Sequence, residues 1–458
     1  MLIYMLIKGG FSLNNNKMGV MSMPKLIVNM SLPLMFSLLI QSLYNIVDSI
    51  FVAKVGEDAL TATSLAFPMQ LLMIAVAVGT SVGINALLSK SVGAGELDIT
   101  ENIATSGVIL SLIGTAVFML LGFFFTNWFA GCFTNDPVIK EYTTQYLSIC
   151  IIFCAGTFIG TMYQRFLQSV GNTFASMITL VIGAVINLIL DPILIFGLLG
   201  MPELGVRGAA IATVIGQWAT AIVAIYLNAS QNPLVNTKFK GYKMDKQVLL
   251  QIYKVGLPTI ITQALGSIMV IGVNAILMPI SSTMVAFFGV YYKLQNFLFM
   301  PMNGLGQAAI PIVGYNYGAK KKERIVALFK TMLPTAIGIA IVATIIFLIF
   351  PSQLLSFFSA SEDMLQIGIP ALRIISVTFT FASVTMILGY AVSGLGNGIV
   401  NMLGTALRQF IILIPMIYII ACFINIDWVW YSFLFSEIIA MLYAILATIK
   451  VLQKKQIL

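Results

Sequence analysis

Long apolar runs separated by short polar breaks recur along almost the whole chain. Each run has about 20 residues or more, the length at which an α-helix spans the hydrocarbon core of a bilayer. The pattern predicts about twelve such spans, at approximately 29–53, 61–88, 101–126, 142–164, 174–198, 206–228, 250–278, 285–312, 327–350, 365–392, 400–423 and 428–450. The sequence therefore predicts an all-α polytopic membrane protein.

Composition and charge support this fold class and indicate an orientation. Hydrophobic residues make up 59% of the chain and charged residues only 9%, whereas about a quarter of the residues in soluble domains are charged. The formal net charge of +8 comes from Lys and Arg residues in alternate loops, so nucleic acid is not an expected partner. By the positive-inside rule we expect a multi-pass protein of the cell membrane with both termini in the cytoplasm.

The second half of the chain repeats the first at a constant spacing of 225 residues. The matched positions are Leu32-Pro33 and Leu257-Pro258, Gln70 and Gln295, Gly79 and Gly304, Gly93-Ala94 and Gly318-Ala319, and Gly171-Asn172 and Gly396-Asn397. Such parallel repeats are typical of transporters that bind substrate between two halves. We expect a cytoplasmic N-terminal segment at 1–28, an N-lobe six-helix bundle at 29–228, a cytoplasmic linker at 229–249, a C-lobe six-helix bundle at 250–450 and a cytoplasmic tail at 451–458.

The polar residues inside the spans do not follow this repeat. At the same spacing, polar residues of the first half meet apolar residues of the second: Asp48 and Val273, Asn187 and Ile412, Asp191 and Met416. An aspartate near the centre of a transmembrane helix costs about 2.5–3.5 kcal/mol on insertion scales, so a functional role is the default interpretation. We therefore expect the acidic chemistry to lie in the first lobe alone.

Two spans of the first lobe each carry polar residues on one face. On the fifth span, Asn187 and Asp191 are one helical turn apart, and Pro192 leaves the Leu188 carbonyl without its helical N–H donor. On the first span, a polar stripe with helical spacing is formed by Ser37, Gln41, Tyr44, Asn45 and Asp48. We expect both faces to point into the lobe, where Pro192 forms a ligand-bearing kink and the stripe supports the site.

The chemistry of this site fits either of two coupling ions. Two aspartates in a low-dielectric lobe disfavour double ionisation, so the pair is suited to load a proton outside and release it inside. If both stay ionised, their oxygens form a cage for Na+ together with Asn187 and the Leu188 carbonyl. The chain has no histidine, which makes carboxyl groups the natural proton carriers. Apart from H+ or Na+, no metal and no cofactor is expected.

Two other interpretations of polar residues stay open. Asp48 and Asp191 could simply hydrogen-bond to neighbouring Asn and Tyr side chains and hold helices together, although Asn or Ser would do this at a lower insertion cost. Lys293, in the eighth span, either contacts substrate, restrains the second lobe, or extends its ammonium group to the membrane interface.

Five stretches, in order along the chain, carry a more specific signal. They are SLP at 31–33, YNIVDSIFVAKVGEDALTA at 44–62, ILDPILIFG at 189–197, GVRGAAIATVIG at 205–216 and YNYGAKKKER at 315–324. With these stretches, residues 25–455 resemble the multidrug and toxic compound extrusion (MATE) family of efflux transporters.

The resemblance implies a mechanism and a site. Members of the family expel lipophilic or cationic compounds in exchange for H+ or Na+, as two bundles alternate between outward-open and inward-open states, and they work as monomers. The resemblance assigns the coupling site to Asp48, Asn187 and Asp191, with a hydroxyl on the sixth helix for which Thr213 is the candidate. Members that couple Na+ through an acidic residue on the seventh helix are not matched, because that span has no acid.

Three other classes of protein fit the sequence less well. A flippase for lipid-linked precursors, from the same superfamily, would share the two lobes but line its cavity with cationic residues. A channel needs a continuous hydrophilic lining, and only isolated polar stripes are present. An enzyme needs a nucleophile or a metal constellation, and the four cysteines form no CxxC motif. We therefore expect a transporter, not an enzyme, and keep the flippase as the alternative.

Overall fold

The computed structural model describes residues 16–358 and 360–458, which form helices and loops and contain no strand. Ten helices are long and apolar enough to cross a membrane, and two bent helix pairs raise the number to as many as twelve spans. Each pair is bent by 45°. These helices confirm the prediction of an all-α polytopic fold. Of the predicted N-terminal segment 1–28, residues 1–15 lie outside the described residues.

The chain divides into two compact units. Among the described residues, the first unit contains 16–20 and 36–256. Its helices are α1 (Lys17–Val20), the later part of α2 (Met23–Val55), α3 (Glu57–Ala94), α4 (Leu97–Phe124), α5 (Thr126–Phe133), the bent pair α6 (Pro137–Ile152) and α7 (Ala155–Ser169), α8 (Thr173–Phe196), α9 (Val206–Gln231) and the start of α10 (Lys246–Leu277).

The second unit contains residues 21–35 and 257–458. Besides the start of α2 and the later part of α10, its helices are α11 (Ser282–Gly318), α12 (Lys322–Ile349), α13 (Pro351–Ser356), the bent pair α14 (Glu362–Ser376) and α15 (Thr378–Gly394), α16 (Ile399–Ala406), α17 (Leu413–Phe423) and α18 (Tyr431–Lys454). A π-helical segment, Leu407–Ile411, joins α16 to α17.

The first long helix of each half contributes to both units. The division falls in α2 between Met35 and Phe36, shortly after Pro33, and in α10 between Gly256 and Leu257, directly before Pro258. Both helices continue through their proline, which lacks the N–H of a helical hydrogen bond. Each unit therefore includes a helical segment from the other half of the repeat. The predicted boundaries of the lobes and of the linker stay predictions.

Local sequence signals define both ends of α8 and the start of α6. α8 begins after Asn172, whose side chain accepts a hydrogen bond from the Ala175 N–H, and ends at Gly197 with a left-handed φ of 70°. α6 begins after Asp136, which accepts hydrogen bonds from the N–H groups of Val138 and Ile139. These caps satisfy backbone groups that a helix leaves unpaired at its ends.

Each unit has its own apolar core. In the first unit the core includes Phe118 and Phe158, whose rings are 5.7 Å apart. In the second unit the core is rich in aromatic side chains, with the rings of Phe287 and Trp430 4.8 Å apart. Because lipid is as apolar as these side chains, close packing rather than transfer out of water stabilises such cores within a bilayer.

One side chain in the second unit links the start of α12 to the segment that precedes α2. Arg324, at the start of α12, donates from Nη2 to the Met21 carbonyl at 2.7 Å and from Nε to Oδ1 of Asn316 at 3.0 Å. We expect Arg324→Ala to lower the free energy of unfolding by about 1–3 kcal/mol, because it removes a charged donor from both acceptors. Lys322→Ala, at an exposed position of the same turn, should change it by less than about 0.5 kcal/mol. Equal thermal midpoints for the two variants in detergent would contradict this role.

Candidate functional site

The carboxyl groups of Asp48 and Asp191 meet inside the first unit. Asp48 lies on α2, and Asp191 lies near the end of α8 with 0% of its surface exposed. The two carboxyl groups are within hydrogen-bonding reach of each other. Two ionised carboxylates at this range repel each other, so the contact is favourable only with a proton or a cation between them. The pair is therefore suited to binding a positive charge.

Asn187 supports Asp191 from one turn earlier on α8. Its Nδ2 donates a hydrogen bond to Oδ1 of Asp191 at 3.1 Å, and its side chain is buried. Three buried oxygens have no hydrogen-bond donor among the residues that the structure describes: Oδ1 of Asp48, Oδ2 of Asp191 and Oδ1 of Asn187. Buried polar atoms are almost always partnered. A group of acceptor oxygens without donors fits a proton or a hard cation.

Of the predicted stripe residues on α2, Tyr44 lies beside the pair, Gln41 lies next to Tyr44, and Asn45 is exposed. Tyr44 lies close to both carboxyl groups, and its side chain is adjacent to that of Gln41. Asn45 is exposed, and its backbone carbonyl accepts a hydrogen bond from Ser49 at 2.8 Å. Successive residues are about 100° apart around a helix, so Tyr44 and Asn45 flank Asp48 on opposite sides.

A second polar group, on α3 and α6, was not singled out from the sequence. Tyr146 and Cys150 are 6% and 1% exposed, and both are adjacent to Gln70. Asp48 lies within electrostatic range of both Tyr146 and Cys150. In the sequence, Gln70 stood out only as a repeated position and Cys150 belonged to no motif. The spacing of four between Tyr146 and Cys150 is the only local signal, and it is common in ordinary cores.

Glycines bring α9 against the part of α8 that carries the site. A Cβ atom on Gly216 would lie 2.8 Å from the Gly183 carbonyl oxygen and 3.0 Å from Cβ of Asn187. Small residues at such crossings allow transmembrane helices to pack closely. Thr213, one turn before Gly216, is half-buried on the same side of α9. Its hydroxyl makes no hydrogen bond to Asp48 or Asp191, so its part in the site stays a prediction.

The predicted roles of Pro192, the Leu188 carbonyl and Lys293 stay predictions. α8 continues past Pro192 to Phe196, and the ligand role of the Leu188 carbonyl stays a prediction. Lys293 belongs to the second unit, where it lies on α11 with an exposed side chain. Its proposed contact with substrate also stays a prediction.

Comparisons of sequence agree with the internal repeat. A family model described as MatE matches residues 33–193 and 258–419, once in each half. The probable multidrug resistance protein YoeA of Bacillus subtilis (strain 168) is 28% identical over 340 residues, covering 73% of each protein. The multidrug export protein MepA of Staphylococcus saprophyticus is 24% identical over 427 residues, covering 92% of each protein.

Solved structures share the fold over nearly the whole chain. A structure described as the outward-facing conformation of a multidrug resistance MATE family transporter of the MOP superfamily has a TM-score of 0.89 at 23% identity, covering 96% of this chain and 98% of the other. A MOP superfamily transporter from Pyrococcus furiosus, whose binding pocket of reverse polarity suggests a different function, has a TM-score of 0.88 at 23% identity, covering 96% and 98%. Because one family model matches both halves and together the matches cover most of the chain, this protein belongs to the MatE family of membrane transporters.

Proposed function

We propose that this protein is a secondary active multidrug antiporter that exports lipophilic or cationic compounds in exchange for protons by alternating access. The observation that carries the proposal is the proximity of the Asp48 and Asp191 carboxyl groups. One oxygen of each, together with Oδ1 of Asn187, lacks a hydrogen-bond donor among the described residues. Ionisable residues within transmembrane helices are costly and typically mark ion pathways. In a member of a transporter family, the role that fits this pair best is coupling to an ion.

The geometry of the pair favours a proton over Na+. Two carboxyl groups within hydrogen-bonding reach can share one proton, whereas a metal cation needs room for itself between the oxygens that coordinate it. The chain contains no histidine, so the carboxyl groups are the side chains available to carry the proton. If the carboxyl groups moved apart, the Asn187 amide oxygen would complete a site for Na+, which makes Na+ the coupling ion to test against.

The location of the pair on two helices supports a coupling role. An ion can drive a transport cycle only if one conformational state binds it more tightly than the other. Because Asp48 lies on α2 and Asp191 on α8, a small displacement between these helices changes the distance between the carboxyl groups and thus their affinity for a proton. A proton that moves inward gains about 2.3 kcal/mol per 100 mV of membrane potential.

The relatives support the proposed substrates. YoeA and MepA are both named as multidrug proteins, and an acidic site attracts cations into its surroundings. We propose small lipophilic or cationic compounds as the substrates of this chain. We also propose that the protein works as a monomer in the cell membrane, with both termini in the cytoplasm as the basic loops indicate.

The test uses purified protein in liposomes that contain a pH-sensitive dye. Ethidium, a lipophilic cation, is supplied on the side that corresponds to the cytoplasm, and proton movement is recorded with and without Na+. We expect ethidium to drive proton movement in the opposite direction without Na+, and not in liposomes that lack the protein.

Other outcomes of this assay would change the proposal in defined ways. Ethidium transport that requires Na+ and moves no protons would replace the proton by Na+ as the coupling ion. Transfer of a fluorescent lipid-linked precursor between leaflets, without ethidium transport, would favour the flippase. Absence of ethidium transport with either ion would overturn the proposed exporter.

A further inference from the structure

The second unit contains a buried ion pair that the proposed transport mechanism does not use. Arg408 lies in the π-helical segment Leu407–Ile411, and Glu437 lies on α18. Nη2 of Arg408 is 2.9 Å from Oε1 of Glu437, and the two side chains are only 8% and 6% exposed. Burying charged side chains is costly unless opposite charges are closely paired. Here the positive charge of Arg408 and the negative charge of Glu437 compensate each other inside the second unit.

Aromatic side chains surround the ion pair. The guanidinium group of Arg408 lies 5.7 Å from the centre of the Phe299 ring, and the fully buried Tyr291 lies within electrostatic range of both charges. Nε of Arg408, Oε2 of Glu437 and Oη of Tyr291 have no hydrogen-bond partner among the described residues.

Few other ionisable groups face this pair from the elements packed around it. From α11, Tyr291 lies within electrostatic range of Glu437, and Tyr292 lies within range of Tyr291. On α15, the hydroxyl of Tyr390 donates to Asn303. On α14, Arg373 is exposed, as are Glu362 and Asp363. Arg408 is therefore the counter-ion of Glu437 in this core.

The internal repeat shows what Arg408 replaces. At the spacing of 225, Arg408 corresponds to Gly183, where α8 packs closely against α9 in the first unit. The second family match is also one residue longer than the first, and the π-helical segment is a place where a helix holds more residues per turn. In the second unit this place therefore holds a long cationic side chain, on a locally widened helix.

We propose that Arg408 acts as a tethered cation, which permanently occupies the anionic site of Glu437 and so keeps the second unit from taking up a coupling ion. Among the residues that the structure describes, no Lys or Arg pairs with the carboxyl groups of Asp48 and Asp191 in the first unit, whereas in the second unit the carboxylate of Glu437 pairs with a cation attached to the chain. A tethered cation cannot leave during a transport cycle. The part of this proposal that restricts ion coupling to the first unit rests on the proposed exchange function. The role of Arg408 as the counter-ion of Glu437 does not depend on it.

Removing the tether should expose an anionic site. In Arg408→Ala, Glu437 stays buried without its counter-ion. Binding of a proton or a small cation at Glu437 therefore stabilises the folded state. We expect the thermal midpoint at pH 8 to fall on the order of 5–10 °C. Lowering the pH to 5, or adding millimolar methylguanidinium at pH 8, should then raise it again.

The matched control is the double variant Arg408→Ala/Glu437→Gln. It retains the space left by the guanidinium group but has no carboxylate, so neither methylguanidinium nor pH should raise its midpoint beyond the change seen in the unaltered protein. The Asp48 and Asp191 pair is present in all three proteins and contributes equally to each. If Arg408→Ala and the double variant responded alike to both treatments, Glu437 would not be an anionic site and the tether would be refuted.

The ethidium exchange assay tests whether the second unit takes up a coupling ion. The number of protons moved per ethidium should be the same for the double variant and for the unaltered protein, since Glu437 carries none of them. A lower ratio in the double variant would show that Glu437 transports a proton, and would overturn the proposal. The thermal measurements need no transport activity, so a failure of ethidium exchange in the unaltered protein would refute the proposed function and leave the tether to be decided by its own data.

Discussion

Replacement of Asp191 by asparagine is expected to lower ethidium-driven proton movement on the order of 100-fold. Asparagine has almost the same shape, and its side-chain oxygen can still accept the hydrogen bond from Asn187, so α8 keeps its packing. The substitution removes the carboxyl group that lies beside Asp48 and that we propose shares a proton with it. If this proton drives the cycle, the difference in proton affinity between conformations is lost as well. Asp48→Asn should have the same effect, measured in the same liposome assay.

A matched aspartate outside the site provides the control. Asp245 is exposed before α10, and its Oδ1 accepts a hydrogen bond from the Gln247 N–H at 2.7 Å. Asparagine caps helices about as well as aspartate, so Asp245→Asn should leave both the exchange rate and the thermal midpoint unchanged. If Asp48→Asn and Asp191→Asn exchanged protons as fast as this control, the carboxyl pair would only hold helices together.

The second large effect concerns stability and comes from Gly183→Ala. The added Cβ atom would overlap the Thr220 hydroxyl and lie 2.7 Å from the Gly216 carbonyl oxygen. A backbone carbonyl cannot move aside without displacing α9, so we expect a loss of about 1–3 kcal/mol in the free energy of unfolding. Because α9 also lies against Asn187 at Gly216, the exchange rate should fall too. Thermal unfolding in detergent and the liposome assay measure the two effects.

Two comparisons separate close packing from helix propensity. Gly338 is exposed on α12, and an added Cβ atom there meets no atom within 4 Å. Gly338→Ala should therefore gain about 0.5–1 kcal/mol from propensity alone. Gly183→Ala combined with Thr220→Ala should recover only part of the loss, because the Gly216 carbonyl remains in place. A midpoint for Gly183→Ala equal to that of the unaltered protein would contradict the close approach of α8 and α9.

The location of the carboxyl pair illustrates how far the sequence could lead. The i, i+4 spacing of Asn187 and Asp191 placed them on one helix face, and the structure shows the hydrogen bond between them. That Asp48 faces Asp191 across two helices was an expectation from helical stripes and from family resemblance. Tyr146 and Cys150 joined the surroundings of Asp48 only in the structure, because the packing of α6 against α3 leaves no motif in either segment.

The division of the chain into units shows a second limit. The repeat of 225 residues located the two halves, but it did not indicate that α2 and α10 each contribute to both units. Hydropathy identifies a helix as a single apolar run and contains no information on which neighbouring helices each part of it contacts. Hydropathy also did not indicate that two of the helix pairs are bent, because an apolar run has the same composition whether its helix is straight or bent by 45°.

By itself, the sequence determined the class of fold, the series of apolar spans, the repeat and the asymmetry of Asp48, Asn187 and Asp191 between the halves. These features follow from helix length, from the exclusion of unpaired backbone groups from lipid and from the cost of burying charge, all of which act locally along the chain. Only the tertiary structure decided the partners of the charged residues, such as Arg408 with Glu437. Such pairings depend on the approach of helices distant in sequence, and that approach is set by packing at residues such as Gly183 and Gly216 that carry no charge.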